Sequence, residues 1–126
     1  MNAPTQYPLP TMNFVGGSSE TLSFRTYWHA DKLPFDLSRC SANFAVINYV
    51  NQEGKPLFTK PMEVLTDEGT GELNLLRVKL SPVDTIYLRG KYIYQITIKE
   101  NDNDIEPPQK GIIYISNNID KDFALS

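Results

Sequence analysis

Along "ETLSFRTYW", Leu22, Phe24, Thr26 and Trp28 face one way while Thr21, Ser23, Arg25 and Tyr27 face the other. A period of two over that length predicts a half-buried strand. The alternation resumes in "CSANFAVINYV", with Ala42, Phe44 and Val46 on one face and Ile47 and Tyr49 on the other; the phase is ambiguous near Ile47, and a bulge there would resolve it. "NQEGK" then reads as a hairpin turn in which Gly54 supplies the positive φ, and Leu57 to Met62 as its partner strand. "EVLT" precedes a polar turn, "DEGTG", and Glu72 to Leu80 forms a further strand. The clearest alternation follows Gly90: Tyr92, Tyr94, Ile96 and Ile98 point inward, and Lys91, Ile93, Gln95, Thr97 and Lys99 outward. "ENDNDIEPP" is a polar hairpin loop, and Lys110 to Ile115 the last strand.

Between two of these strands the pattern changes. Ser81 is a candidate helix cap, Pro82 suits the first helical position, and Asp84 sits where a carboxylate reaches back to the cap. One turn or so of helix is expected from Pro82 to Tyr87, ending near Gly90. Asp84, Gly90, Tyr92 and Tyr94 in that order resemble the helical turn and tyrosine corner that lead into strand F of immunoglobulin-like domains, with Tyr94 where an antibody domain has its second cysteine. The fold class is therefore all-β: an immunoglobulin-like antiparallel β-sandwich of about seven strands with one short helical turn. Residues 1–15 read as an extended, proline-rich arm and a first short strand (Met12 to Val15), 16–115 as the sandwich, and 116–126 as a polar tail.

The 126 residues suit one domain. Fifteen acidic and twelve basic residues leave a formal charge of −3 and no basic run, so nucleic acid is not an expected partner. The lone Cys40 has no intramolecular disulfide partner, "MNAPTQYPLP" lacks the marks of a secretory signal, and no apolar run is long enough for a membrane span.

Candidate chemistry is sparse. His29, with Asp31 nearby, lacks the strained serine elbow of a hydrolase, because "GGSSE" is not G-x-S-x-G. Cys40 has no evident base and reads as a small hydrophobe. Gly69 and Gly71 do not extend into a phosphate-binding pattern. Glu100, Asp102, Asp104 and Glu106 fall at every second position, which is a source of oxygen ligands for calcium, but the glycine and terminal glutamate of an EF-hand loop are missing and Asn and Asp are ordinary turn formers. No enzyme activity, metal or cofactor is assigned on this reading. Trp28, Tyr92 and Tyr94 are assigned to the core. Tyr27 and Tyr49, with Phe123 in the tail, are the candidates for an exposed contact.

The segments "GGSSETLSFRTYW", "LPFDLSRCSANFAVINYVNQEGKPL" and "LSPVDTIYLRGKYIYQITI", taken in order, resemble the N-terminal domain family of the baseplate upper protein of phages that infect Gram-positive bacteria. The matching residues are Pro34, Asp36, Leu37, Ser38, Gly54, Asp84, Thr85, Gly90, Tyr92 and Tyr94, within a span from Gly16 to Ile115. The resemblance implies a non-enzymatic tail or baseplate module of the virion, made in the host bacterial cytoplasm and working by docking to other tail or baseplate proteins, with copies of itself assembling alongside. A chain that stops soon after the domain departs from the family's longer architecture and points to a small accessory or decoration protein. The alternative is a module that binds host cell-wall polysaccharide through Tyr27, Tyr49 and acidic loop residues.

Overall fold

The computed structural model describes residues 9–27, 33–106 and 108–126. Eight strands are present among them: β1 (Met12–Val15), β2 (Glu20–Arg25), β3 (Cys40–Asn48), β4 (Phe58–Pro61), β5 (Glu63–Leu65), β6 (Leu75–Leu80), β7 (Gly90–Glu100) and β8 (Gln109–Ser116). Two helical turns join them, α1 (Pro82–Thr85) and α2 (Lys121–Leu125). The strands form a five-stranded sheet, β1-β8-β7-β3-β4, facing a three-stranded sheet, β2-β6-β5. This is the neighbour order of an immunoglobulin-like sandwich, in which strands B, E and D oppose A′, G, F, C and C′. All pairs are antiparallel except β1 with β8.

The core follows from the alternation. Phe24, Phe44, Val46, Leu76, Val78, Tyr94, Ile96, Ile98 and Ile113 are buried between the sheets. At its centre Tyr94 of β7 stacks on Phe44 of β3 (centroids 5.6 Å, interplanar 25°) and packs at a tilt against Phe24 of β2 (5.8 Å, 37°). An antibody domain joins strands B and F at this place by a disulfide packed on a tryptophan of strand C. Here three aromatic rings span the same gap, and such pairs add to the burial of their area.

The helical turn and its corner are built from the anticipated residues. The Asp84 carboxylate accepts hydrogen bonds from the backbone N–H and the hydroxyl of Ser81 (2.7 and 2.9 Å) and an ion pair from Lys60 (2.6 Å). Burial opposes its ionisation, but the donors of Lys60 and Ser81 prevail and hold it below the usual carboxylate range. The Ser81 hydroxyl thus donates to Asp84. Gly90 has φ 111°, and the Tyr92 hydroxyl donates to the Arg89 carbonyl (2.8 Å) and accepts from the Arg89 N–H (2.9 Å). This is the tyrosine corner, closed at the chain's entry to β7. Thr85 is buried and accepts from the Gly17 N–H (2.9 Å), tying α1 to the turn after β1. Gly17 has φ 84°, and a Cβ there would meet the Ile86 Cδ1 atom, so a side chain is excluded twice over.

Several local expectations change. The helix is shorter than the segment to Tyr87, and Ile86 is its C-cap. β3 pairs with β7 without a bulge, Ile47 lying directly opposite Ile93, because the alternation runs unbroken once Ile47 is accepted on the outer face. Gly54 is not among the glycines with positive φ. The strand from Glu72 begins only at Leu75, since residues 67–74 form a turn around Asp67. The last eleven residues are not merely a polar tail: Asn118 donates to the Gly16 carbonyl (2.7 Å), and Lys121–Leu125 is helical.

The turn around Asp67 yields a pH prediction. Its carboxylate is almost fully buried, 2.8 Å from the Arg25 Nε, and accepts from the Gly69 N–H (3.1 Å). The Arg25 hydrogen bond first, and the Gly69 amide next, hold its pKa below the ordinary 3.8. A depressed folded-state pKa contributes stability that is present above the unfolded value and is lost as pH falls through the folded one. In urea titrations between neutral pH and about pH 2, the acid limb of the native chain should therefore be steeper below about pH 4 than that of Asp67→Asn. Parallel limbs would contradict this.

Candidate functional site

The outer face of the five-stranded sheet is set by register. Ile93 of β7 lies opposite Ile47 of β3 on one side and Ile112 of β8 on the other, so three isoleucines from three strands form one row across the sheet. All three are half-buried. One row along, Lys91 lies opposite Tyr114, and its carbonyl accepts from the Tyr49 N–H (3.3 Å). The Lys91 ammonium sits 3.8 Å from the centroid of Tyr49 and 5.9 Å from that of Tyr114, a cation–π arrangement. Beyond the isoleucines on the other side come Ala45, Gln95 and Lys110. The β3–β4 connection borders this face, and Gln52 and Pro56 form a groove with Ile47 and Ile93.

The anticipated contact residues are not brought together. Tyr49 (39% exposed) belongs to the outer face just described, whereas Tyr27 follows β2 in the opposite sheet and bridges to Pro34. Phe123 is 78% exposed on α2, which packs against α1; Val83 and Tyr87 are likewise exposed there. Tyr94 and Tyr92 are buried as expected, and burial pushes the Tyr94 phenol well above its ordinary pKa. Its hydroxyl donates to the Pro10 carbonyl (2.6 Å), fastening the chain before β1 to the core. Trp28, His29, Asp31 and residues 1–8 of the arm lie outside the described residues. The sequence reading did not select Tyr114 as an exposed contact and did not identify the isoleucine row. The signal was present in the outward positions of β7 and β8, but aligning them requires the register.

Cys40 is half-buried at the start of β3, opposite Glu100. Burial first, then the negative charges of Glu100 and Asp36, push its thiol pKa up, the reverse of what a nucleophilic thiolate needs.

The β7–β8 loop gathers the acidic residues. Single ligand oxygens of Glu100, Asp102 and Asp104 lie within 4.8 Å of one another. The loop is wound by hydrogen bonds from Asn103 N–H to the Glu100 carbonyl (2.9 Å) and from Glu100 N–H to the Asp104 carbonyl (2.8 Å), with Asn103 at φ 71°. Glu106 is different in kind: it is only 4% exposed, its N–H is bonded to the Ile98 carbonyl (2.9 Å), and its Oε1 has no hydrogen-bond partner. Burial, the contact of its carboxyl with that of Glu100, and the charges of Glu100 and Asp104 push its pKa up to about 7.

No protein-family model and no curated protein matches the chain. Among solved structures it is similar to the fibronectin(III)-like modules of Clostridium thermocellum CbhA, at 11% identity and TM-score 0.42 over 86% of this chain and 92% of that one. It is also similar to the SrpA adhesin of Streptococcus sanguinis, at 15% identity and TM-score 0.47 over 96% of this chain; the chain spans 61% of that protein's length. A third likeness is to AggA, the major subunit of aggregative adherence fimbriae type I of Escherichia coli, at 10% identity and TM-score 0.36 over 91% of this chain and 94% of that one.

Proposed function

We propose that this chain is a non-enzymatic docking module, and that it serves as a tail or baseplate component of a phage particle, as its sequence resemblance implies. The observation that carries the docking reading is the row Ile47–Ile93–Ile112 on the outer sheet face, bordered by the Tyr49–Lys91–Tyr114 row. A sheet face turned to water ordinarily carries polar side chains. An apolar strip with two aromatic rings at its border has the make-up of a protein contact, with Lys91 and Lys110 as its charged rim. Pro10 and Asn118 are bonded into the domain, and the exposed side chains of α2, Phe123 among them, offer a second contact surface.

A wall-polysaccharide module is less well supported. Tyr27 and Tyr49 lie in different sheets, and the Lys91 ammonium covers one face of the Tyr49 ring that sugar stacking would use.

In a prophage-carrying strain expressing Ile93→Lys in place of the native chain, the protein should fold, with a thermal midpoint within about 4 °C of native, since the side chain is at a half-exposed site. It should be absent from purified particles that contain the native chain. Gold-antibody label on the tail tip is the expected location. Label on the head instead replaces the baseplate assignment with capsid decoration, and undiminished incorporation of Ile93→Lys removes the outer face from docking.

A further inference from the structure

Glu106 stands apart from the exposed acidic side chains of the β7–β8 loop, which gather in many turns without consequence. It is buried, its Oε1 has no hydrogen-bond partner, and its carboxyl lies against that of Glu100. No base relieves the pair: the ion pairs among the described residues join Arg25 to Asp67, Lys60 to Asp84 and Arg77 to Glu63, and Arg39, which borders the same cleft as Glu100, is in none of them. The titratable and charged groups that face Glu106 are Glu100 at the end of β7, Asp104 in the loop and Cys40 at the start of β3, with the positive amino terminus acting against the two acids. Two carboxyls in contact, one of them out of water, do not both ionise. A proton held between them makes one a donor and the other an acceptor.

We propose that Glu100 and Glu106 form a proton-operated latch, which holds the β7–β8 loop closed while the pair keeps a proton and releases it when both carboxyls are ionised. The latch sits where the loop is fastened: the Glu106 N–H donates to the Ile98 carbonyl (2.9 Å), the Glu100 N–H donates to the Asp104 carbonyl (2.8 Å), and Lys99 bridges to Ile105. Turning one ionised side chain out to water therefore pulls on these bonds directly. Residues 101–105 are exposed, so the loop opens at little cost to the core, and opening gives the shared proton up to solvent. Burial first, then the contact with Glu100, raise the folded-state pKa of Glu106 from the ordinary 4.5 to about 7. A raised folded-state value gives the closed loop a stability that is complete below the unfolded pKa and is lost as pH rises through the folded one, here between 4.5 and about 7. The depressed Asp67 carboxyl titrates below this window. The inference is independent of the docking reading.

The test is amide hydrogen exchange of the full chain, followed by NMR from about pH 5 to about pH 8 and corrected for the intrinsic exchange rate. The opening equilibrium constant at the Glu100 and Glu106 amides should rise by more than about tenfold between about pH 5 and about pH 7, and level off by about pH 8. In Glu106→Gln it should change by less than about twofold over the same range, because the amide cannot ionise; groups titrating elsewhere cancel in the comparison. Glu100→Gln leaves Glu106 buried but removes the like charge, so its rise should be smaller than the native one and end at lower pH. The side-chain carboxyl carbon of Glu106 in the native chain should titrate near neutral pH, a readout that depends on no variant. An ordinary Glu106 titration, a native opening constant that is flat across this range, a Glu106→Gln profile parallel to the native one, or a Glu100→Gln profile identical to it would each overturn the inference.

Discussion

Tyr94→Ala should cost about 3–5 kcal/mol, lowering the thermal midpoint by roughly 10–20 °C, the largest loss expected from any single truncation in this domain. The ring is fully buried and touches both sheets: Phe44 stacks on it within the five-stranded sheet, and Phe24 meets it from the other. Removing it opens a cavity whose walls belong to strands already fixed by their ladders, so collapse is limited. Tyr94→Phe isolates the hydroxyl. That variant keeps the rings and loses only the bond to the Pro10 carbonyl, so it should cost about 1 kcal/mol. Differential calorimetry of the two variants decides the matter. If Phe were as damaging as Ala, the tie to residue 10, and not the aromatic bridge, would be what holds the sheets.

The second large effect is expected on the neighbouring strand. Gly111 of β8 lies directly opposite Tyr94, and a Cβ built there would fall 2.5 Å from the Tyr94 Cζ and 2.6 Å from its hydroxyl oxygen. The ring cannot swing aside, being stacked on one side and hydrogen-bonded at its tip. Gly111→Ala should therefore cost about 1–3 kcal/mol by overpacking, although alanine is otherwise no worse than glycine in a strand. The cost should largely vanish when Tyr94 is already replaced by leucine, since the atoms that Cβ would strike are then gone. Urea unfolding of the two single variants and the double variant gives the coupling directly. Additive losses would show that Gly111 is required for its backbone and not for the room it leaves.

Strand positions and the inward faces were legible because alternation is a local property. Leu22 to Thr26, Ala42 to Val46 and Tyr92 to Ile98 each sort themselves without reference to any partner. The corner was legible for a similar reason: Ser81, Pro82, Asp84, Gly90 and Tyr92 interact within twelve residues of chain, and the observed bonds join neighbours in sequence. The failures are equally local. The phase near Ile47 suggested a bulge because an isoleucine on a water-facing side violates the expected pattern; the pattern is what yields, and the ladder stays regular. At Asp67, Arg25 from forty-two residues away decides the turn, so the strand from Glu72 starts late.

What the sequence by itself determined is the all-β class, the immunoglobulin-like sandwich with its helical turn, and the list of side chains that face inward. What only the tertiary structure decided is which of those positions meet. The row Ile47–Ile93–Ile112 exists because two ladders set three strands in one register, and a shift of one residue would scatter it to both faces. Phe24, Phe44 and Tyr94 become one cluster only when two sheets close on each other. Glu106 is one carboxylate among four in the β7–β8 loop, and it alone is buried, at a point before β8 begins where its N–H bonds to the Ile98 carbonyl within β7. Period two assigns a side chain to a face, but its neighbours on that face come from distant parts of the chain, and pairing, which depends on the whole fold, selects them.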